Sequence, residues 1–205
     1  MKFGNVIIDV SRKVLRPRKE TEYWIKRAAK EIKDAESIKV LDIFAGTGCL
    51  GIFILKNTKS SVDFLDIDSE AIAEIKINLS LNKIPKEKYR IWRSDMFGKV
   101  GKKKYDFIFA NPPYVATSRI REVQKEVLES EPLAALFGGF DGLEIIRGFL
   151  KEVGRHLSLE GVLFLEFDPL QKKEIKNILA KEGLKTRFFK DQFGKERWLK
   201  ATKLI

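Results

Sequence analysis

Short runs of β-branched and aromatic residues alternate along this chain with stretches whose apolar positions recur every three or four residues, a pattern that predicts βα units. From about Glu20 to Lys33, Trp24, Ile25, Ala28, Ala29 and Ile32 share one helical face that is expected to pack on a sheet. A first strand is expected over Ile38 to Phe44, then a glycine-rich turn and a helix through Leu55. Ser61 to Ile67 reads as the second strand. Asp68 is placed to cap a helix to about Asn82 with Ile72, Ile75 and Leu79 inward. Residues 88–93 and 105–110 are apolar enough for buried strands, and the stretch from Asn111 to Phe140 reads as a long, partly helical loop. Asp141 and Glu144 have the spacing of a capping box for a helix to about Leu157. The tail predicts a strand at GVLFLEF, a helix from Pro169 to Glu182, and strands at Leu184 to Phe189 and Arg197 to Thr202 joined through KDQFGKE. The expected class is α/β, a mostly parallel sheet with helices on both faces that ends in an antiparallel strand.

At 205 residues, a single domain is expected, with 1–33 as a basic N-terminal arm and helix packed on a unit spanning 34–205. Hydrophobic residues at 44% and charged residues at 34% describe a packed protein rather than a disordered one. No apolar run approaches the length of a membrane span, and MKFGNVIIDVSRK lacks the features of a signal peptide, so a cytoplasmic protein without membrane contact is expected. One cysteine, Cys49, and one histidine, His156, exclude an internal disulfide and argue against structural zinc. Residues 1–33 hold ten basic and four acidic side chains, so +6 of the net +11 sits there, and Lys99, Lys102, Lys103 and Lys104 form a second cluster. Such charge is either solvated surface or a docking face for RNA, a ribosome or an acidic partner.

Gly46, Gly48 and Gly51 match G-x-G-x-x-G between a strand and a helix, a turn whose backbone can approach a nucleotide-like cofactor. Asp42, four residues before it, would repel a pyrophosphate and suits an ammonium group such as that of S-adenosyl-L-methionine. Asp66, with Ile67 beside it, ends the second strand about 20 residues beyond the turn, where a carboxylate can accept from ribose hydroxyls. Asp95 and Met96 fall where an adenine would lie. In Asn111-Pro112-Pro113-Tyr114, the prolines fix an extended path and leave carbonyls free to accept. A planar NH2 group could donate to the Asn111 side chain and the Pro112 carbonyl while Tyr114 packs on its face. Cys49 reads as a small buried residue behind the turn, and His156 as a surface residue.

These motifs resemble those of class I S-adenosylmethionine-dependent methyltransferases, and more narrowly the release factor glutamine methyltransferases, from about Val14 to Thr202. VLRPRKETE (14–22), EPLAALFGGFDGLE (131–144) and KDQFGKERWLKA are similar to segments of that family. The resemblance implies a Rossmann-like, seven-stranded fold. It sets the cofactor against Phe44, Ala45, Gly46, Thr47 and Gly48, with Asp66 on the ribose, Met96 near the adenine, and Asn111 beside the methyl group. The substrate glutamine of a release factor's Gly-Gly-Gln motif would be held by Asn111 to Tyr114. Phe44 stands where the family has a glycine, which makes DIFAGTGCLGI similar to turns of adenine and guanine methyltransferases. Bacterial members carry a helical N-terminal domain, whereas thirteen residues precede Val14 here. The basic N-terminal end or an activating partner protein is expected in its place, or else a different protein substrate. The alternative is an amino-methyltransferase of RNA or DNA. A nicotinamide-dependent oxidoreductase rests on the glycine turn alone, and a binding module without turnover leaves the NPPY segment without a purpose.

Overall fold

The computed structural model describes residues 1–32 and 37–204. The chain opens on β1 (Lys2–Phe3), β2 (Val6–Ile7) and α1 (Lys19–Ala28), and continues with β3 (Lys39–Ile43), α2 (Cys49–Asn57), β4 (Ser61–Asp66) and α3 (Ser69–Leu81). After β5 (Tyr89–Arg93) and β6 (Tyr105–Ala110) come the short helices α4 (Lys125–Ser130) and α5 (Leu133–Leu136), then α6 (Glu144–His156), β7 (Leu157–Glu166), α7 (Lys172–Lys181), β8 (Leu184–Lys190) and β9 (Glu196–Lys203).

Seven strands form one sheet in the order β5-β4-β3-β6-β7-β9-β8. The five from β5 to β7 run parallel, and β9 is antiparallel to both β7 and β8. The antiparallel strand is the last in sequence but lies inside the sheet, with β8 at the edge, because the hairpin inserts its second arm against β7. Chain order reverses between β3 and β6, and a ligand crevice is expected outside the carboxyl ends of the strands at that point.

Side chains alternate across the sheet. Val40, Phe64, Phe109 and Phe164 face α1, α2 and α3, while Leu41, Leu65, Ile108 and Leu163 face α6 and α7. Trp24 anchors α1 on the first face, its ring stacked between Phe109 and Trp198 at 6.1 and 6.2 Å. The N-terminal arm belongs to this layer, since Phe3, Val6 and Ile8 are fully buried. Asn82 exchanges two hydrogen bonds with the Ile7 backbone, and Asn78 does the same with Asp9. No described helix is long and apolar enough to cross a membrane.

Several expectations are corrected. The first helix leaves α geometry at Ala29 for a single 3-10 turn; its expected end at Lys33, and the boundary between 33 and 34, lie outside the described residues. Asp141 does not cap α6. Its carboxylate accepts the Leu143 N–H and pairs with Arg147, while Leu143 occupies the cap position. A reciprocal box forms instead at Asp168 and Gln171, ahead of α7. β7 begins at Leu157, four residues before the expected strand. His156 is buried, stacked on Phe97 at 4.0 Å, with Nδ1 against the Lys103 carbonyl.

Candidate active site

A cavity opens at the carboxyl ends of the parallel strands, the place where sheets of this kind bind their ligands. Its floor is built by the segments that leave β3, β4, β5 and β6: Phe44 to Thr47, Asp66 to Asp68, Ser94 to Met96, and Asn111 with Pro113. Its roof comes from Val14 to Pro17 and Thr21 on one side and Pro132, Ala134 and Ala135 on the other.

The turn after β3 is held by backbone bonds from Ala45 N–H to the Leu65 carbonyl (3.1 Å) and from Gly48 N–H to the Ala45 carbonyl (2.7 Å). Phe44 takes a left-handed φ of 59°, a conformation that favours glycine; its ring meets Phe149 edge-on at 5.4 Å. Gly51 lets α2 lie close to the sheet, since a Cβ there would sit 2.3 Å from Phe64. Asp66 locks the turn to β4: Oδ2 accepts the Gly46 N–H at 2.8 Å and Oδ1 the Asp68 N–H at 2.9 Å. Each oxygen keeps a second lone pair. Burial pushes the Asp66 carboxyl up, against the pull of those N–H groups. Asp68 caps α3 through the Glu70 N–H at 2.9 Å. The Ser94 hydroxyl donates to the Met96 carbonyl at 3.0 Å and accepts the Lys99 N–H, folding the chain back so that Met96 reaches a φ of 40° on the cavity wall.

Asn111 follows β6 directly and lines the cavity. Its Oδ1 is shielded from water and has no hydrogen-bond partner among the described residues, an arrangement that costs about 1–3 kcal/mol unless a ligand donates to it.

Of the residues the sequence proposed, Phe44, Ala45, Gly46, Thr47, Asp66, Ile67, Asp95, Met96, Asn111 and Pro113 line the cavity. Asp42, Gly48, Pro112 and Tyr114 do not, and each has a reason. Asp42 points under α2, fully buried, with Oδ2 accepting the Gly51 N–H at 2.8 Å; desolvation holds its carboxyl well above the ordinary range, so it is no exposed partner for an ammonium group. Gly48 caps α2 with a left-handed φ of 74°. Pro112 is buried. Tyr114 turns its ring away and donates its hydroxyl to Glu166 at 3.1 Å, so it does not pack on a substrate amide here. Cys49 lies buried beneath the turn, its thiol pushed up chiefly by desolvation.

Sequence reasoning missed the roof and the supports of the NPPY segment. Arg18 pairs with the buried Glu131 at 2.7 Å, which ties the two halves of the roof together, and Arg16 lines the mouth. Gly142 packs against the NPPY backbone so closely that a Cβ would lie 2.2 Å from the Tyr114 carbonyl, and one on Gly138 would lie 2.4 Å from the Pro113 carbonyl. Gln171 Nε2 donates to the carbonyls of Tyr114 (2.8 Å) and Gly142 (2.9 Å). The glycines of FGGFDGL were the available signal, because such a cluster marks a place where two backbones meet.

Residues 26–134 match the family described as Methyltransferase small domain. The release factor glutamine methyltransferase of Thermodesulfovibrio yellowstonii is 35% identical over 88% of this chain and 65% of its own length, and that of Flavobacterium psychrophilum is 34% identical over 94% and 69%. The chain thus spans about two thirds of the length of these relatives. A methyltransferase from Pyrococcus furiosus has the same fold, with a TM-score of 0.74 at 20% identity over 98% of this chain and 91% of its own. The glycine turn, Asp66 and Asn111 all fall within the matched domain, and the chain belongs to the release factor glutamine methyltransferase family.

Proposed function

We propose that this chain is an S-adenosylmethionine-dependent N-methyltransferase that modifies the glutamine amide of the Gly-Gly-Gln motif in a peptide chain release factor. The observation that carries the reading is the shielded, unpartnered Asn111 Oδ1 on the wall of a cavity whose floor also holds the glycine turn. The cavity fits the cofactor by its chemistry: Asp66, Asp68 and Asp95 share its lining with one arginine, Arg16, a balance that opposes a pyrophosphate and tolerates a sulfonium. Asp66 would accept from the ribose hydroxyls, Met96 and Ile67 would flank the adenine, and Ala45 to Thr47 would run beside the amino-acid part. When bound, the cofactor supplies an electrophilic methyl group.

The chain's own task is orientation. An amide nitrogen is a weak nucleophile because its lone pair is delocalised into the carbonyl. Asn111 Oδ1, with a backbone carbonyl of the NPPY segment, would accept its two hydrogens, turn the lone pair toward the methyl group and support the positive charge as the N–C bond forms and the S–C bond breaks. Positioning of this kind contributes several kcal/mol. The methylated nitrogen then releases its extra proton to water without a strong base. His156 and Cys49 supply none, the first stacked on Phe97 and the second held protonated by burial.

A cytoplasmic setting and approach to the ribosome through the basic surface belong to the same proposal. The test is transfer of labelled methyl from S-adenosylmethionine to a release factor, to its Gln-to-Ala variant in the Gly-Gly-Gln motif, and to total RNA. The expected result is label on the intact release factor alone, lost with Asn111→Ala. Label on RNA with none on the release factor would instead support a nucleic-acid amino-methyltransferase.

A further inference from the structure

Glu166 ends β7 on the sheet face covered by α1, and it is fully buried. Its Oε2 accepts from the Thr21 hydroxyl at 2.7 Å and the Trp24 indole N–H at 2.6 Å, both on α1. Its Oε1 accepts from the Tyr114 hydroxyl at 3.1 Å. One carboxylate thus holds two segments that are far apart in sequence. α1 follows the roof segment Val14 to Pro17, and Tyr114 ends the NPPY segment that carries Asn111.

The surroundings make this carboxylate costly. Trp24, Phe109, Phe164 and Trp198 stack on one another on the same face, and desolvation pushes its carboxyl up against the three donors and the charge of Arg197. Arg197 is shared with Asp191 at 3.6 Å and also feels Asp168. A well-packed apolar side chain would hold a core at least as well as a buried charge. What an apolar residue cannot do is fix the spacing and rotation of three donors from two segments.

We infer that Glu166 is a positioning residue for the proposed methyl transfer, clamping the N-terminal roof and the Asn111–Tyr114 segment in a single register so that Asn111 Oδ1 meets a closed cavity. This rests on the methyltransferase reading above. Glu166 touches no reacting atom. It acts through Tyr114 on one side and through Thr21, which itself lines the cavity, on the other.

The test compares Glu166→Gln, Tyr114→Phe and Thr21→Val with wild type in the full chain. Three measurements are made: cofactor affinity by calorimetry with S-adenosylmethionine, kcat and KM for methyl transfer to a release factor, and amide hydrogen exchange over residues 14–24. Tyr114→Phe removes only the hydroxyl, so it remains informative if Glu166→Gln folds poorly. The clamp predicts that Tyr114→Phe lowers kcat by about 10-fold to 100-fold, the range that misplacement by a fraction of an ångström to 1 Å produces, with cofactor affinity changed less than kcat. It also predicts faster exchange in the roof, although the substitution lies in another segment. Glu166→Gln combined with Tyr114→Phe should be no worse in kcat than Glu166→Gln alone, because both break the same link. Variants that melt earlier but keep wild-type kcat, KM and roof exchange would overturn the inference and leave Glu166 as a packing residue. A wild type that transfers no methyl to the release factor refutes the parent reading instead. Roof exchange in Tyr114→Phe still decides the clamp in that case, with unchanged exchange refuting it.

Discussion

The floor and the roof of the cavity are built by opposite means. Each floor segment ends or follows a parallel strand: Phe44 to Thr47 after β3, Asp66 to Asp68 at the end of β4, Ser94 to Met96 after β5, which is the exposed edge strand, and Asn111 after β6. Their geometry is set by backbone hydrogen bonds in the turn and by strand register. The roof joins residues 14–17 to residues 132–135, and what holds it is tertiary: the Arg18–Glu131 pair, Thr21 and Trp24 on Glu166, and Asn78 and Asn82 on the arm. Local sequence can write a floor. A roof of this kind exists only once the whole sheet has formed, so the two should respond differently to substitution and to pH.

The largest effect is expected where a support touches the floor itself. Gly142→Ala places a Cβ 2.2 Å from the Tyr114 carbonyl at a φ of 75°, so the NPPY segment must move. Methyl transfer should fall on the order of 100-fold. Calorimetry should show cofactor affinity largely kept, because the turn after β3 is untouched; loss of both together would mean that floor and supports are one unit.

The arm provides a pH test. Burial and the neighbouring Asp9 carboxyl push Glu74 up to about 7, against the Arg12 N–H that donates to it. The folded protein therefore keeps a proton that the unfolded chain releases above its ordinary value of 4.5, and stability should fall as pH rises through that window and level off above it. Glu74→Gln removes this dependence. Its melting temperature should exceed wild type by several degrees at pH 8, on the order of what one or two kcal/mol gives in a chain of this size, and by little at pH 4.5. An equal gain at both pH values would contradict the assignment.

Arg18→Ala cuts the link between the roof's halves and leaves Glu131 buried without its cation. Although the guanidinium is 38% exposed, the Glu131 side chain is only 2% exposed, so losing its cation leaves a buried carboxylate unpaired, at about 1–3 kcal/mol; the expected result is a melting temperature lower by a few degrees and a several-fold weaker cofactor affinity. Smallest of all is Phe44→Gly. Relief of a left-handed φ, about 1–2 kcal/mol, offsets the lost ring contact with Phe149, so thermal denaturation should change by only a few degrees and methyl transfer by less than about tenfold.

Most of the sheet was legible, because near-continuous apolar runs such as YDFIFA and GVLFLEF leave few alternatives to buried parallel strands. Asp68 was legible as a cap since it alone precedes the apolar periodicity of α3. The capping box assigned to Asp141 failed because Arg147, one turn and a half on, competes for the same carboxylate. Asp42 and Tyr114 show the limit at the site. Motif spacing places a residue at the right strand end, but which side of the sheet its side chain takes decides whether it reaches the cavity, and both lie behind the wall. β1 and β2, with two residues each, are too short to leave a period. The roof needed pairings across more than a hundred residues that no local pattern encodes.

The central claim is that the Asn111 carbonyl oxygen awaits a glutamine amide. Mass spectrometry of a release factor treated with the enzyme and S-adenosylmethionine tests it most directly. The result predicted is a single methyl group on the peptide carrying Gly-Gly-Gln, localised by fragmentation to the glutamine side chain and absent with Asn111→Ala. A methyl group on any other residue, or an equal yield from Asn111→Ala, would contradict it.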